Sequence, residues 1–199
     1  MTDRLDGVGV GCYSTLNLGL YSGDDTDTVI QNRTLLCEAL KIPLTHLFVP
    51  KEVHGDRIIQ IDNQSLLLPV ENRDSFLECD AMFTTLPNVC LGVTTADCVP
   101  ILIYNREATV VAAVHAGWKG VVKEIVPKTI DVLQSALNMK PNSLKVMVNA
   151  CISQKNFEVG EEVSACFDAS VVDRINYAKP HVDLRKSVLD QILQAGVEE

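Results

Sequence analysis

The spacing of apolar residues changes character along this chain, from helical to alternating and back. In residues 25–40, Val29, Ile30, Leu36, Cys37 and Leu40 recur on one helical face. Asp25 or Thr26 can cap that face and Pro43 follows its end, so a helix is predicted there. The Gly-rich stretch 7–23 before it predicts turns and short extended pieces. Shorter apolar runs then take over. Residues 46–49 and 57–61 read as strands, and 66–76 fits neither period and reads as a surface excursion.

Three β-branched runs follow at 89–95, 99–104 and 109–115, the last two joined by a turn at Asn105-Arg106-Glu107. Helical spacing returns over 118–137, entered through Gly117 and Gly120. Pro127 within it predicts a kink or a later start, because proline lacks the N–H a helix interior needs. A strand at 144–148 and helices near 158–168 and 184–195 complete the chain. Several central runs are apolar at nearly every position, which predicts strands covered on both faces. The expected class is α+β, with a mixed sheet flanked by helices. Residues 1–199 are expected to form one domain.

Composition narrows the function classes. Hydrophobic residues make up 47% of the chain, which argues against disorder. A net charge of −9 argues against a nucleic-acid partner, whose footprint is a basic patch. No run of 18 apolar residues is present, so no membrane helix is expected. Met1-Thr2-Asp3-Arg4 has no apolar signal core. Seven cysteines, an odd count without C-x-x-C or paired spacing, suit reduced thiols in the cytoplasm.

The chemistry concentrates at His54, Cys98 and His115. Their surroundings are Lys51-Glu52-Val53-His54-Gly55-Asp56-Arg57, Thr94-Thr95-Ala96-Asp97-Cys98-Val99-Pro100 and Ala113-Val114-His115-Ala116-Gly117-Trp118-Lys119-Gly120. Two imidazoles and a thiolate make three ligands for a zinc-like ion, and three protein ligands leave one position open, the arrangement of catalytic sites. The spacings of 44 and 17 residues are not those of a zinc finger, so only the tertiary fold can bring the three together. The competing description of each alone is an ordinary core residue.

These segments resemble the YfiH (DUF152) family, also described as the multicopper polyphenol oxidase or laccase family, which includes human FAMIN. Glu52-Val53-His54-Gly55, Ala96-Asp97-Cys98-Val99-Pro100 and Ala112-Ala113-Val114-His115-Ala116-Gly117-Trp118-Lys119-Gly120 match its three long motifs. Ser14-Thr15-Leu16-Asn17-Leu18-Gly19, Asp80-Ala81-Met82-Phe83-Thr84 and Phe157-Glu158-Val159-Gly160-Glu161-Glu162-Val163 match its flanking ones, and Thr2-Asp3-Arg4-Leu5-Asp6-Gly7-Val8 is a weaker echo. Glu52 stands where the family has Gln, and Asn149-Ala150 where it has Gly-Pro. Relatives are expected to carry an opening strand before the position of Thr2 and a further segment after that of Glu199, so the domain is expected to be short at both termini.

The resemblance implies a layered α-β-β-α sandwich like the catalytic domain of cytotoxic necrotizing factor. It implies a purine nucleoside phosphorylase acting on adenosine, inosine and methylthioadenosine, with adenosine deaminase activity and a zinc ion on His54, Cys98 and His115. For a bound phosphate the candidates are Arg4, Arg57 and Lys119, which are otherwise solvated surface charges. Asp97 is a partner of a ligand histidine, a general acid or base, or a turn-forming residue, and Asp80 and Glu158 carry the same alternatives. The H-x-E and P-C-x-x-C signature of the usual zinc deaminases is absent.

Two other classes remain open. One is a copper-dependent phenol oxidase, since thiolate and imidazole also suit copper. The other is a metal-free hydrolase with Cys98 as nucleophile and His115 as base. Cys12, Cys37, Cys79, Cys90, Cys151 and Cys166 read as structural. Oligomeric state has no signature in the sequence.

Overall fold

β6 (Val111–Ala116) is the strand around which the layers assemble. Its run Val-Ala-Ala-Val-His-Ala is buried at every position after the first, and its small side chains let neighbours close on both faces. The computed structural model describes residues 2–70, 73 and 77–197. In it β6 lies third in a five-stranded sheet of order β2 (Ile58–Gln60), β3 (Ala81–Thr84), β6, β5 (Val99–Asn105), β7 (Leu144–Val148). β2 and β3 run parallel and every other neighbouring pair is antiparallel, so the sheet is mixed, as expected. The β5–β6 turn is organised by the buried side chain of Asn105, whose Oδ1 accepts the N–H groups of Thr109 and Val110.

Helix α1 (Thr26–Leu40) starts at Asp25, whose carboxylate accepts the Thr28 N–H at 2.9 Å, and ends at Lys41 in the left-handed region. The apolar run 118–137 divides into α2 (Trp118–Val122) and α3 (Ile125–Leu137), separated by Glu124 at φ 60°. Pro127 is the third residue of α3, where the missing N–H has no intrahelical partner to lose, so the later start is the outcome realised. The helix expected near 158–168 is only one turn, α4 (Glu161–Ser164). The Val159 N–H is taken by the Pro180 carbonyl and Glu158 bridges to His181, which keeps that backbone extended. α5 (Leu184–Gln194) is capped by Asp183, whose carboxylate accepts the Lys186 N–H.

Two expected strands shrink to pairs of residues. Leu47–Phe48 (β1) and Cys90–Leu91 (β4) form a small parallel sheet of their own. A second pair, β8 (Val172–Asp173) and β9 (His181–Val182), is antiparallel. Of the excursion expected at 66–76, residues 71, 72 and 74–76 lie outside the described residues.

One face of the five-stranded sheet carries the main core. Ile101, Ile103 and Val114 gather there with Ile125, Ile130 and Leu133 of α3 and Leu184, Val188 and Ile192 of α5. On the opposite face Met82 clusters with Phe48, Ile61, Leu77 and Cys79. Leu47 and Val49, flanking Phe48, cluster instead with Cys37 of α1. Across this half the succession is helices, sheet, strand pair, helix.

The cover does not extend across the sheet. Met82, Ala113, Leu102 and Met147 are directly paired neighbours across four strands and share one face. Met82 and Ala113 are fully buried, whereas Leu102 is 37% and Met147 49% exposed. The expectation of central strands covered on both faces therefore holds for β6 but not for β5 and β7, because the strand pair and α1 stop short of them. No helix of the described residues is long and apolar enough to cross a membrane.

Candidate metal centre

The end of β6 brings His115 to the edge of the buried sheet, and the fold carries the two other expected ligands to it. One ligand atom each from His54, Cys98 and His115 lies within 4.8 Å of the others. The His54 and His115 rings meet edge to face with centroids 4.8 Å apart. His115 is buried, Cys98 is half-buried and His54 is exposed, so the group opens to solvent on the His54 side.

Asp80 organises this arrangement. It immediately precedes β3, beside β6 in the sheet, and its side chain is fully buried. Its Oδ1 lies 2.8 Å from His115 Nδ1 and also accepts the His54 N–H at 2.9 Å. Its Oδ2 accepts the Gly55 N–H at 2.7 Å and the Val53 N–H at 3.3 Å. The Asp80 carbonyl takes the His115 backbone N–H at 2.7 Å. An ionised carboxylate only accepts, so the His115 proton sits on Nδ1 and Nε2 is left as the ligand atom. The three N–H groups of 53–55 converge on Asp80, and this holds His54 at φ 56°, a left-handed conformation uncommon for residues other than glycine.

Burial works to raise the Asp80 carboxyl, but the bonds from His115 and from the 54–55 backbone more than reverse it, leaving it below the usual carboxylate range. Burial opposes a charge on His115, but the Asp80 hydrogen bond, the Cys98 sulfur and the Glu52 carboxylate outweigh it and raise the imidazole to about 10. An ion bound here would replace a proton that the site already favours.

Gly117 forms the floor. A Cβ there would stand 3.0 Å from Cys98 Sγ, 3.0 Å from His54 Cδ2 and 3.8 Å from His115 Cε1. The absent side chain lets the three ligands converge. Gly120, one turn on, would place a Cβ 3.0 Å from the Gly55 carbonyl, so it permits α2 to press against the His54 loop. The sequence marked both glycines as a helix entry and as part of the third motif, but not this clearance.

The other expected residues fall at different distances from this arrangement. Asp97 is exposed beside Cys98, and its carboxylate makes no hydrogen bond among the described residues, while its carbonyl accepts the Ile152 N–H. Glu158 pairs with Lys179 at the surface. Arg57 is exposed and donates from Nη1 to the Glu78 carbonyl at 3.1 Å. Lys119 is exposed, 5.6 Å from the centre of the Trp118 ring. The Arg4 guanidinium donates to the Ser14 carbonyl. Glu52, noted in the sequence only as a departure, is drawn in by bonds from Thr94. Burial raises its carboxyl above the usual range, against the opposing pull of those bonds. All seven cysteines are free thiols. Cys37 and Cys79 are buried, whereas Cys12 and Cys166 are exposed and contribute nothing to the core.

The donor set suits a metal ion on three counts: two imidazoles and a cysteine sulfur converge, Asp80 fixes one imidazole with Nε2 outward, and Gly117 leaves the space clear.

The family described as "Multi-copper polyphenol oxidoreductase laccase" matches residues 1–199. A protein of Bacteroides thetaiotaomicron named purine nucleoside phosphorylase is 34% identical over 205 residues, covering 99% of this chain and 76% of its own length. A protein of an unknown prokaryotic organism named adenosine deaminase RL5 is 33% identical over 197 residues, covering 95% of this chain and 75% of its own length. The crystal structure of YfiH from Bacillus licheniformis superposes with a TM-score of 0.91 at 23% identity, over 98% of this chain and 76% of that one, which establishes the likeness of fold.

Proposed function

The chain belongs to this laccase family, the YfiH family of the sequence resemblance, and on that premise we propose that it is a zinc-dependent purine nucleoside phosphorylase with adenosine deaminase activity. The observation that carries the reading is the convergence of His54, Cys98 and His115 around Asp80, in a chain whose relatives bear both names. The substrates proposed are adenosine, inosine and methylthioadenosine. Phosphorolysis of adenosine gives adenine and ribose 1-phosphate, and deamination with water gives inosine and ammonia.

Held by His54, Cys98 and His115, a zinc ion would supply Lewis-acid chemistry, lowering the pKa of a bound water toward neutrality or polarising a substrate atom. The protein's own groups do the rest. Asp80 holds His115 in one tautomer and fixes the His54 loop, so the ligand atoms are in place before substrate arrives. His54 faces solvent, which is the side from which a nucleoside would approach. Arg57 and Lys119, each three or fewer residues from His54 or Gly117 and each exposed, are the proposed phosphate partners, with Arg4 as a third. Asp97, exposed beside Cys98, is the proposed proton carrier. The free thiols are consistent with the cytoplasm. The likeness to the cytotoxic necrotizing factor domain belongs to the same proposal.

A second reading, copper-dependent oxidation of phenols, is favoured by the family's description. Metal analysis of the purified protein, with product analysis on adenosine with and without phosphate, separates the two. Bound zinc with adenine released only in phosphate supports the phosphorylase. Copper with phenol oxidation and no nucleoside turnover overturns it.

A further inference from the structure

Asp80 joins two of the three ligand segments, 53–55 and β6, but makes no bond to the one that bears Cys98. On its C-terminal side Cys98 is fixed by β5, which begins at the next residue. On its N-terminal side the Asp97 carbonyl accepts the Ile152 N–H at 3.0 Å, but residues 95–97 are exposed and none of their side chains makes a hydrogen bond among the described residues. The nearest residue before them that is held by its side chain is Thr94, and its partner is Glu52. Glu52 Oε1 accepts the Thr94 N–H at 2.6 Å, and Oε2 accepts the Thr94 hydroxyl at 2.6 Å. Both carboxylate oxygens are thus spent on one residue, four positions before one ligand, by a side chain two positions before another.

We propose that Glu52 is a positioning residue for the metal centre: by clasping Thr94 at two points it sets the Cys98 thiolate against the two imidazoles. The inference rests on the reading that these three residues hold a metal. With Asp80 it makes a closed brace, in which one carboxylate ties His54 to His115 and the other ties the His54 segment to the Cys98 segment. The two bonds differ in what they demand. The N–H of Thr94 needs an acceptor, which a Gln side chain also supplies. The hydroxyl of Thr94 can either donate to a carboxylate or accept from an amide N–H. Glu52→Gln therefore preserves the clasp and removes the charge, whereas Glu52→Ala removes the clasp.

The test is metal binding by the full chain, read without any substrate. Zinc affinity is measured by chelator competition, and the thiolate-to-metal absorption is measured at saturating cobalt(II). Glu52→Ala is expected to weaken zinc binding by about tenfold, the low end of the loss when a group bonded directly to a ligand is removed, because Glu52 acts through Thr94. Its cobalt absorption is expected to be weaker than native, because the sulfur is no longer held. Glu52→Gln is expected to recover most of both. Thr94→Val, which keeps the backbone bond, is expected to show a smaller loss in the same direction and serves if Glu52→Ala fails to fold. Native affinity and absorption in Glu52→Ala, or in Thr94→Val where only that variant folds, overturns the inference alone. So does a Glu52→Gln as weak as Glu52→Ala, which would assign the effect to charge. A native chain that binds neither zinc nor cobalt overturns the metal reading with it.

Discussion

The Asp80 carboxylate lies 2.8 Å from His115 Nδ1, with the aspartate side chain fully buried and the imidazole nearly so. The same carboxylate takes three backbone N–H groups from the His54 segment, so one side chain sets both imidazole ligands.

Asp80→Asn should be felt in fold and metal site together. An amide keeps one acceptor oxygen and offers N–H groups where the native protein already presents donors. Breaking a buried charged pair costs about 3–5 kcal/mol, and loss of a ligand's partner weakens metal binding about 10–100-fold. Urea unfolding and zinc competition measure the two effects, and a variant as stable and as tight as native would remove Asp80 from its assigned part.

Gly117→Ala should behave differently. Gly117 has φ −71°, which alanine adopts freely, so the backbone resists nothing. The difficulty is the 3.0 Å approach to Cys98 Sγ and His54 Cδ2. Folding stability is expected to fall by about 1–3 kcal/mol, the usual cost of overpacking, while bound zinc drops well below one per chain. Metal content beside a thermal melt tests this; full occupancy would show that the ligands have room to retreat.

The metal-free protein should lose stability as pH rises above neutral. His115 is raised from 6.5 to about 10, so the stability from its proton is fully present below pH 6.5 and lost as pH climbs through 10. Asp80 is lowered from 3.8, so its share is present above pH 3.8 and lost as pH falls through its lower folded value. Chelator-treated protein unfolded in urea at several pH values should therefore show a declining midpoint between pH 6.5 and 10. A flat profile there would mean that His115 is neutral in the folded chain.

Cys98→Ala distinguishes a ligand from a nucleophile. As a ligand, its loss should remove metal and activity together and leave the circular dichroism spectrum unchanged. As a nucleophile, native Cys98 should sustain full turnover after complete chelation, and that result would favour the metal-free hydrolase.

Arg57→Ala should divide the two nucleoside reactions. Only phosphorolysis needs a bound anion, and a hydrogen bond to a charged partner is worth about 1.5–3 kcal/mol. Phosphorolysis is expected to fall about 10- to 100-fold, with deamination changed far less. Equal losses would assign Arg57 to the scaffold through its bond to the Glu78 carbonyl.

Much of the fold was legible where local signals agree. α1 and β7 fall where cap, period and punctuation place them, and Pro127 announced the break before α3. The misjudged elements are those decided by distant partners. β1 and β4 are two residues each because they find only one another, 43 positions apart at Leu47 and Cys90. The helix expected near 158–168 loses its first turn because the Val159 N–H donates to the Pro180 carbonyl. The residues of the candidate centre divide in the same way. His54, Cys98 and His115 announce themselves by chemical type. Asp80 could not be told from Asp97 or Glu158, because burial and the convergence of N–H groups are not written in the five residues around it. Gly117 and Glu52 act by clearance and by reach, which only the folded chain reveals.

The placement of Asp80 also bears on when the centre can form. It lies 25 residues after Gly55 and 35 before His115, and no two ligands are near neighbours in sequence. Until β3 has paired with β6, the chain presents histidines and thiols separated in sequence, and bringing them together costs loop-closure entropy that the folded sheet has already met. The sheet is what brings the ligands together, so an ion is expected to bind most tightly once it has formed. Metal uptake during refolding should lag the recovery of the sheet, so that the arrival of the ion times the final step of assembly.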